Sequence, residues 1–241
     1  EEHMDFYKSI ENLKNNFVKF LNKTPSFGKS FICLDNQNNK DILKKISNMN
    51  YHTYGIDKKS NFRILNIVQK IDYSKFDIKI SLPSTKKKYI KNIKIPIIGF
   101  HNIRNTTAAI AVAFSIGISN KLIKDGLKNF QGVQRRFTKL FSFQKVPFFD
   151  DYAHHPTEIR EVLNGVKEVY KNKEIVCIFQ PHRISRLKIL RKDFSKAFIK
   201  ADTIVLCPIY KAGENISLGF KYSNFAKELI KNSKIKLILI K

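Results

Sequence analysis

The chain has 241 residues, a net charge of +25 and a hydrophobic content of 43%. This length and apolar content exclude a disordered chain and leave room for one or two globular domains. No apolar run approaches the roughly 18 residues that span a bilayer, and the polar opening EEHMDFYKSI does not resemble a secretory signal. We therefore expect a protein without a membrane span. Because the first residue is Glu1 rather than methionine, we also expect a fragment of a longer protein.

The strong positive charge raises the alternative of a basic nucleic-acid-binding protein. The lysines are spread over nearly every segment, however, and only TKKKY (residues 85–89) forms a dense run. Many isoleucines and asparagines accompany them, which is typical of a biased genome composition. We therefore expect no nucleic-acid partner, although a basic surface attracts anionic ligands.

Three cysteines, Cys33, Cys177 and Cys207, each lie inside an apolar run. Their spacing fits neither a zinc site nor a disulfide framework. We expect buried thiols in a reducing cytoplasm.

The first half of the chain mixes helices with strands. Apolar spacing from Ile10 to Leu21 predicts an amphipathic helix, and SFICLDN and YHTYGI predict strands on either side of a short helix. Alternating β-branched residues from Asn61 to Ile98 predict three antiparallel strands. The alanine-rich GFHNIRNTTAAIAVAFSIGI then predicts a helix, and Ser119 is the predicted N-cap of another.

After the linker QGVQRRF, strands and helices alternate. The predicted strands are FTKLFSFQKVPFFDD, EIVCIFQ, DTIVLCPIY and KIKLILIK, and helices are predicted to begin near Pro156, Ser185 and Ser223. Such alternation predicts an open α/β sheet of parallel strands. Ligands of these sheets bind at the carboxyl ends of strands, so DDYAHH, FQPHRISR and PIYKAGENI are predicted to converge on one edge.

The polar side chains at these positions suit a site for an anion. His182, Arg183 and Arg186 surround a strand end and a helix start, where guanidinium groups pair with carboxylate or phosphate oxygens. A solvated basic helix start is the alternative. Their neighbours in the predicted sheet, Asp151 and His154, favour a site.

Other candidates lie in the first half and at the linker. Asn102 and Asn105 could read a purine through their amides, with helix capping as the alternative. Arg136 could pair with phosphates or form an interdomain salt bridge, and His3 could bind a metal or be incidental. The segment FGKS is not a phosphate-binding loop, because Lys23 stands where that loop needs a glycine and a predicted helix precedes it.

Six motifs, in this order, resemble those of the Mur ligases: EEHMDFY, GFHNIRNTTAAIAVA, GVQRRF, DDYAHHPTEIR, FQPHRISRL and YKAGENI. Within that family they are most similar to the members that add L-alanine to UDP-N-acetylmuramate. The ligase that recycles murein tripeptide is the alternative, but it typically has Phe at the position of Tyr152 and lacks the PHRxSR pattern.

The resemblance implies an α/β protein of two incomplete domains. Residues 1–133 would be the remainder of a central ATPase domain, a mixed sheet with helices. Residues 134–241 would be a truncated, Rossmann-like open α/β C-terminal domain. The family's UDP-binding domain and glycine-rich ATP loop have no counterpart in the 241 residues. We therefore expect a fragment without activity of its own.

The resemblance also implies the chemistry: ATP-dependent amide formation through an acyl phosphate, with Mg²⁺, in cytoplasmic peptidoglycan precursor synthesis. It implies adenine contacts from Asn102 and Asn105, a phosphate contact from Arg136, a ribose contact from Asp151 and a magnesium contact from His3. The residues implied on the muramoyl and alanine side are Tyr152, His154, His182, Arg183 and Arg186. Those with an implied catalytic role are Arg136, Asp151, His154 and His182.

Overall fold

The computed structural model describes residues 4–83, 85–214, 221–231 and 235–240. They form two compact units. The N-terminal unit takes in residues up to Val68, Tyr73–Pro96 and His101–Phe130, and the C-terminal unit takes in Gln69–Asp72, Ile97–Phe100 and residues from Gln131 onward. The domain boundary between residues 133 and 134 stays a prediction.

Through residue 130 the elements are α1 (Met4–Tyr7), α2 (Ile10–Asn22), β1 (Ser30–Cys33), α3 (Gln37–Leu43), β2 (Tyr51–Gly55), β3 (Phe62–Lys70), β4 (Tyr73–Ile80), β5 (Lys88–Ile95), α4 (Phe100–Ser115) and α5 (Asn120–Lys128). The described strands form one mixed sheet in the order β1-β2-β3-β4-β5. β1, β2 and β3 run parallel, and β4 and β5 pair antiparallel. The predicted antiparallel pairing is thus confirmed for β4 and β5, while β3 also joins β2 in parallel.

The core of this unit is formed in part by strand residues that alternate between buried and more exposed positions. Every second residue of β4 is buried, which directs Phe76, Ile78 and Ile80 inward. α4 contributes Ile103 and Ile110 to the buried residues. Burial of side chains of this size stabilises a fold by about 1.5–3 kcal/mol each.

A buried carboxylate organises the end of β2. Asp35 Oδ1 accepts the backbone N–H groups of Ile56 at 2.8 Å and Asp57 at 3.2 Å. Gly55 has φ 137°, and a Cβ at this position would lie 2.3 Å from Asp35 Oδ1. Glycine is required here because the backbone passes against the carboxylate.

In the C-terminal unit the elements are β6 (Thr138–Phe143), β7 (Val146–Asp150), α6 (Pro156–Val169), β8 (Val176–Phe179), α7 (Ile184–Ile189), α8 (Arg191–Ala197), β9 (Thr203–Leu206), α9 (Tyr222–Ile230) and β10 (Lys236–Leu239). The strands β10, β9 and β8 form a parallel sheet in that order. The predicted alternation of helices and parallel strands is therefore confirmed from Val176 onward. Its core includes Leu187, Phe194, Phe198, Ile204, Leu206 and Phe225.

The stretch FTKLFSFQKVPFFDD is a hairpin, and its prediction as one strand of the parallel sheet was wrong. β6 and β7 pair antiparallel in a separate two-stranded sheet. Gln144 and Lys145 turn the chain with φ of 47° and 66°. Positive φ at two successive turn residues is typical of tight hairpins and is usually signalled by Asn-Gly. Because neither Asn nor Gly stands at these two positions, the turn could not be predicted from the sequence.

Among the described residues, no helix is both long and apolar enough to cross a membrane. The three cysteines are free and half-buried, and burial raises the pKa of Cys177 to about 12. A thiol with such a pKa stays protonated at neutral pH, which fits the expected role of an inert packing residue.

Candidate active site

Side chains that follow β7, β8 and β9 meet in the C-terminal unit. The ring of His154 lies 5.8 Å from that of His182, and His182 stacks on Tyr210 at 5.5 Å. Tyr152 contacts the edge of His154 at 5.0 Å. A parallel bridge joins the backbones of His182 and Tyr210. The predicted convergence of three polar segments is therefore found, although DDYAHH reaches the cluster from the hairpin rather than from the parallel sheet.

The two adjacent aspartates have different partners. Asp151 Oδ2 accepts the N–H of Phe137 and Oδ1 accepts the N–H of Ala153, both at 2.8 Å. Asp150 instead forms an ion pair with Arg135 at 3.4 Å. Asp151 therefore fixes the chain where it leaves β7, and its contact with a ribose stays a prediction.

The start of α6 holds His154 in place. His155 is the N-cap, and its Nδ1 accepts the N–H of Thr157 at 3.2 Å. In return Glu158 Oε2 accepts the N–H groups of His154 at 3.1 Å and His155 at 3.3 Å. This reciprocal pattern is a capping box with histidine as its first residue. The predicted helix start at Pro156 is confirmed.

The hydrogen bonds assign different tautomers to the two histidines. His154 Nδ1 lies 2.8 Å from the carbonyl oxygen of Tyr152. A carbonyl only accepts, so we assign the proton to Nδ1, which leaves a lone pair on Nε2. His182 Nδ1 lies 3.1 Å from Nη1 of Arg186. A guanidinium only donates, so His182 Nδ1 accepts and its Nε2 carries the proton.

The charge state of His182 follows from its surroundings. Burial lowers its pKa below the ordinary value, and the charges of Arg186 and Arg183 lower it further, against the smaller opposing effect of Glu214. His182 is therefore neutral near pH 7. With both rings neutral, the hydrogen bonds place the proton of His154 on Nδ1 and that of His182 on Nε2.

Glu214, which was not among the predicted site residues, binds the chain between Arg183 and Arg186. Glu214 accepts the backbone N–H of Ser185 at 3.0 Å and its hydroxyl at 2.5 Å. Burial raises the pKa of Glu214, but the hydrogen bonds from Ser185 and Ile184 and the charge of Arg183 outweigh burial and lower it overall. The ionised carboxylate thus fixes the start of α7.

We expect Glu214 to contribute to acid sensitivity. Because its folded-state pKa lies below the ordinary value of 4.5, its contribution is present above that pH and is lost as the pH falls through the folded-state pKa. Glu214→Gln should lower the free energy of unfolding at neutral pH by at most about 1 kcal/mol, since solvent screens the partly exposed group. Urea unfolding of both proteins at neutral and acidic pH measures the difference. A difference that does not shrink in acid would contradict this expectation.

Arg183 and Arg186 have distinct geometry. Arg183 has φ 66° and its N–H donates to the carbonyl of Tyr210 at 3.1 Å. Its side chain is exposed, whereas Arg186 is half-buried and also donates from Nη1 to the carbonyl of His182 at 3.4 Å. Arg183 therefore presents its guanidinium outward, while Arg186 orients the His182 ring.

The remaining predicted residues are not part of the cluster formed by the rings of Tyr152, His154, His182 and Tyr210. Asn102 and Asn105 are in the N-terminal unit, on one face of α4. Because α4 begins at Phe100, neither is its N-cap, which weakens the capping alternative. Arg136 is half-exposed and forms an ion pair with Glu158 at 3.6 Å.

The metal prediction rests on a residue that the structure does not describe. His3 lies outside the described residues. Within the parts of the chain that are described, no group of three or more His, Cys, Asp or Glu side chains is arranged to hold a metal ion. The described residues therefore do not by themselves compose a magnesium site.

Three residues of the cluster were missed from sequence. Glu158 had a local signal, because it stands three positions after a helix cap. Tyr210 and Glu214 contact their partners only through tertiary structure, 28 and 29 positions away in sequence. Both lie in the segment PIYKAGENI, which was predicted to reach the sheet edge and contains the family motif YKAGENI, but no local signal indicated their partners.

Comparison with known proteins accounts for nearly the whole chain. Residues 1–113 match the Mur ligase middle domain, and residues 135–238 match the domain described as Mur ligase, glutamate ligase domain. The UDP-N-acetylmuramate–L-alanine ligase of Pelagibacter ubique is 63% identical over 239 residues, which cover 99% of this chain and 52% of that protein. The same-named ligase of Rickettsia felis is 40% identical over 96% of this chain and 49% of its own length.

Solved structures agree in fold. The UDP-N-acetylmuramate-alanine ligase of Thermotoga maritima matches with a TM-score of 0.70 at 24% identity, over 99% of this chain and 49% of that one. The folylpolyglutamate synthase of Mycobacterium tuberculosis, complexed with ADP, matches with a TM-score of 0.73 at 13% identity, over 97% and 49% of the two chains. This chain spans about half the length of the relatives it matches. The chain belongs to the Mur ligase family and carries sequence of its middle and C-terminal domains.

Proposed function

We propose that this chain is part of an ATP-dependent ligase that joins L-alanine to UDP-N-acetylmuramate in peptidoglycan precursor synthesis. The observation that carries the proposal is the cluster of His154, His182 and Arg186, whose hydrogen bonds leave Nε2 of neutral His154 free to accept a proton and Nε2–H of His182 able to donate one. The 63% identity to a ligase of that name supports the choice of substrates. We also infer a cytoplasmic location, because the proposed substrates ATP and UDP-N-acetylmuramate are nucleotides.

The reaction we infer has two steps. A carboxylate oxygen of UDP-N-acetylmuramate attacks the γ-phosphorus of ATP, the bond from this phosphorus to the β–γ bridging oxygen breaks, and ADP leaves, so that an acyl phosphate forms. The nitrogen of L-alanine then attacks the acyl carbon, and phosphate leaves. An amino acid carries an ammonium group at neutral pH, so its nitrogen must lose a proton before it can attack.

The C-terminal unit supplies side chains for the second step. His154 Nε2 has the lone pair that accepts the ammonium proton. His182 Nε2–H donates to an oxygen of the acyl phosphate, and the outward guanidinium of Arg183 pairs with an anionic group of the muramoyl substrate. Arg186 acts through His182, whose tautomer it fixes.

The proposed nucleotide contacts are those that the family resemblance implies, residue by residue. The paired amides of Asn102 and Asn105 suit an adenine, Asp151 suits the ribose, and the half-exposed Arg136 suits a phosphate. When bound, Mg²⁺ would neutralise phosphate charge, and the family resemblance implies His3 as one of its ligands. No step here depends on that ion, because the described residues do not compose its site.

The recycling ligase for murein tripeptide is the second candidate. The murein peptide ligase of Psychrobacter arcticus has the same fold, with a TM-score of 0.62 at 23% identity over 95% of this chain and 46% of its own. The presence of Tyr152 and of the PHRISR segment favours the alanine ligase.

The test uses an intact ligase that contains this chain. With ATP and UDP-N-acetylmuramate, we expect ligation of L-alanine and a much lower rate with murein tripeptide. Product formation by mass spectrometry decides between them. Preference for the tripeptide would overturn the proposal.

We expect Arg183→Ala in the intact ligase to impair use of UDP-N-acetylmuramate far more than use of ATP. Loss of a charge-assisted hydrogen bond costs about 1.5–3 kcal/mol, which corresponds to roughly a 10- to 150-fold drop in kcat/KM for that substrate. Arg186→Ala should act in the same direction, through the lost bond to His182 Nδ1. A change in the KM for ATP alone would show that the arginines bind the nucleotide instead.

A further inference from the structure

Glu158 contacts two of the segments to which functions have been assigned. Its Oε1 lies 3.6 Å from Nη1 of Arg136, which reaches it from the linker before β6. Its Oε2 accepts the backbone N–H of His154 at 3.1 Å and lies 3.7 Å from Nδ1 of the same residue. The carboxylate therefore stands between the predicted phosphate-binding arginine and the predicted base.

The two carboxylate oxygens of Glu158 have different partners. Oε2 belongs to the capping box of α6, a role that an amide oxygen can also fill. Oε1 has Arg136 as its partner, and this contact needs the negative charge. At half exposure an ion pair adds little to stability. Its effect is geometric, because it restricts a long side chain to a few rotamers.

We propose that Glu158 is a positioning residue. It holds the Arg136 side chain in the orientation that binds a nucleotide phosphate, and it connects Arg136 to His154 at the start of α6. The inference rests on the proposed function. An arginine held in place before binding loses less rotamer freedom when the phosphate arrives, so affinity rises without a new contact to the ligand. One carboxylate thereby links the residues of the phosphoryl and amine steps.

A double-mutant cycle on ATP affinity tests this role. The intact ligase is prepared as wild type, Glu158→Gln, Arg136→Ala and the double variant, and the Kd for ATP is measured by calorimetry. Glu158→Gln keeps the cap and removes the charge. We expect it to weaken ATP binding about tenfold in the wild-type background and by less than about twofold once Arg136 is alanine, since residues that act through each other are non-additive.

Two further variants separate positioning from stability. Glu158→Ala removes the capping box as well and should lower the Tm, whereas Glu158→Gln should leave the Tm close to wild type. Glu174→Gln makes the same charge change at an exposed position of this unit and should alter neither quantity. Equal effects of Glu158→Gln in both backgrounds, or no effect on Kd, would overturn the proposal. Because the readout is binding, the result stands whether or not the wild-type protein ligates L-alanine, which is measured separately.

Discussion

The isolated 241-residue chain is expected to form no UDP-N-acetylmuramoyl-L-alanine from ATP, UDP-N-acetylmuramate and L-alanine. A phosphate-binding loop connects a strand to a helix, and the FGKS segment has the opposite arrangement, with α2 before it and β1 starting at Ser30. No other segment of the sequence has the required pattern of glycines. Orientation and charge neutralisation supply most of the catalysis in phosphoryl transfer, so the loss should be close to total.

The measurement is product formation by mass spectrometry over several hours, beside an intact ligase at the same concentration. Circular dichroism and thermal melting establish that the isolated chain is folded in the same buffer. Product above a control without enzyme would contradict the expectation and show that the two units bind and activate ATP without a glycine-rich loop.

Those parts of the fold that depend on neighbouring residues in the sequence could be predicted, and the others could not. The starts of α6 and α5 followed from Pro156 and from Ser119, whose hydroxyl accepts the N–H of Leu122. The β6–β7 hairpin did not follow, because Gln144 and Lys145 adopt positive φ without being glycine or asparagine. The two strands that this turn joins pair Phe141 with Phe148, whose rings stack at 4.7 Å.

The candidate site shows the same division. His154 and His182 lie close together, as the sequence predicted, but only His182 follows a strand of the parallel sheet, whereas the start of α6 after the hairpin places His154. Their tautomers could not be predicted, since each depends on a partner whose orientation is set by the folded backbone, the carbonyl of Tyr152 in one case and Arg186 in the other. The double role of Glu158 was equally invisible, because the capping pattern says nothing of Arg136.

The tautomer of His154 leads to the sharpest prediction for the reaction. If its Nε2 accepts the proton of the L-alanine ammonium, His154→Gln in the intact ligase should lower the rate of L-alanine ligation by about 10²- to 10⁴-fold, the usual contribution of a general base. The amide of glutamine retains a polar side chain of similar reach but has no basic nitrogen. Formation of the acyl phosphate, which precedes the deprotonation, should survive.

Hydroxylamine separates the two steps because it is largely unprotonated at neutral pH and needs no base before it attacks. With ATP, UDP-N-acetylmuramate and hydroxylamine, the variant should form the hydroxamate at a rate within about threefold of wild type, since residues that act only in the second step leave the first intact. The colour of the iron–hydroxamate complex measures this product, and mass spectrometry measures the L-alanine amide. An equal loss with both nucleophiles would place His154 in acyl phosphate formation, and an unchanged rate with L-alanine would refute its role as the base.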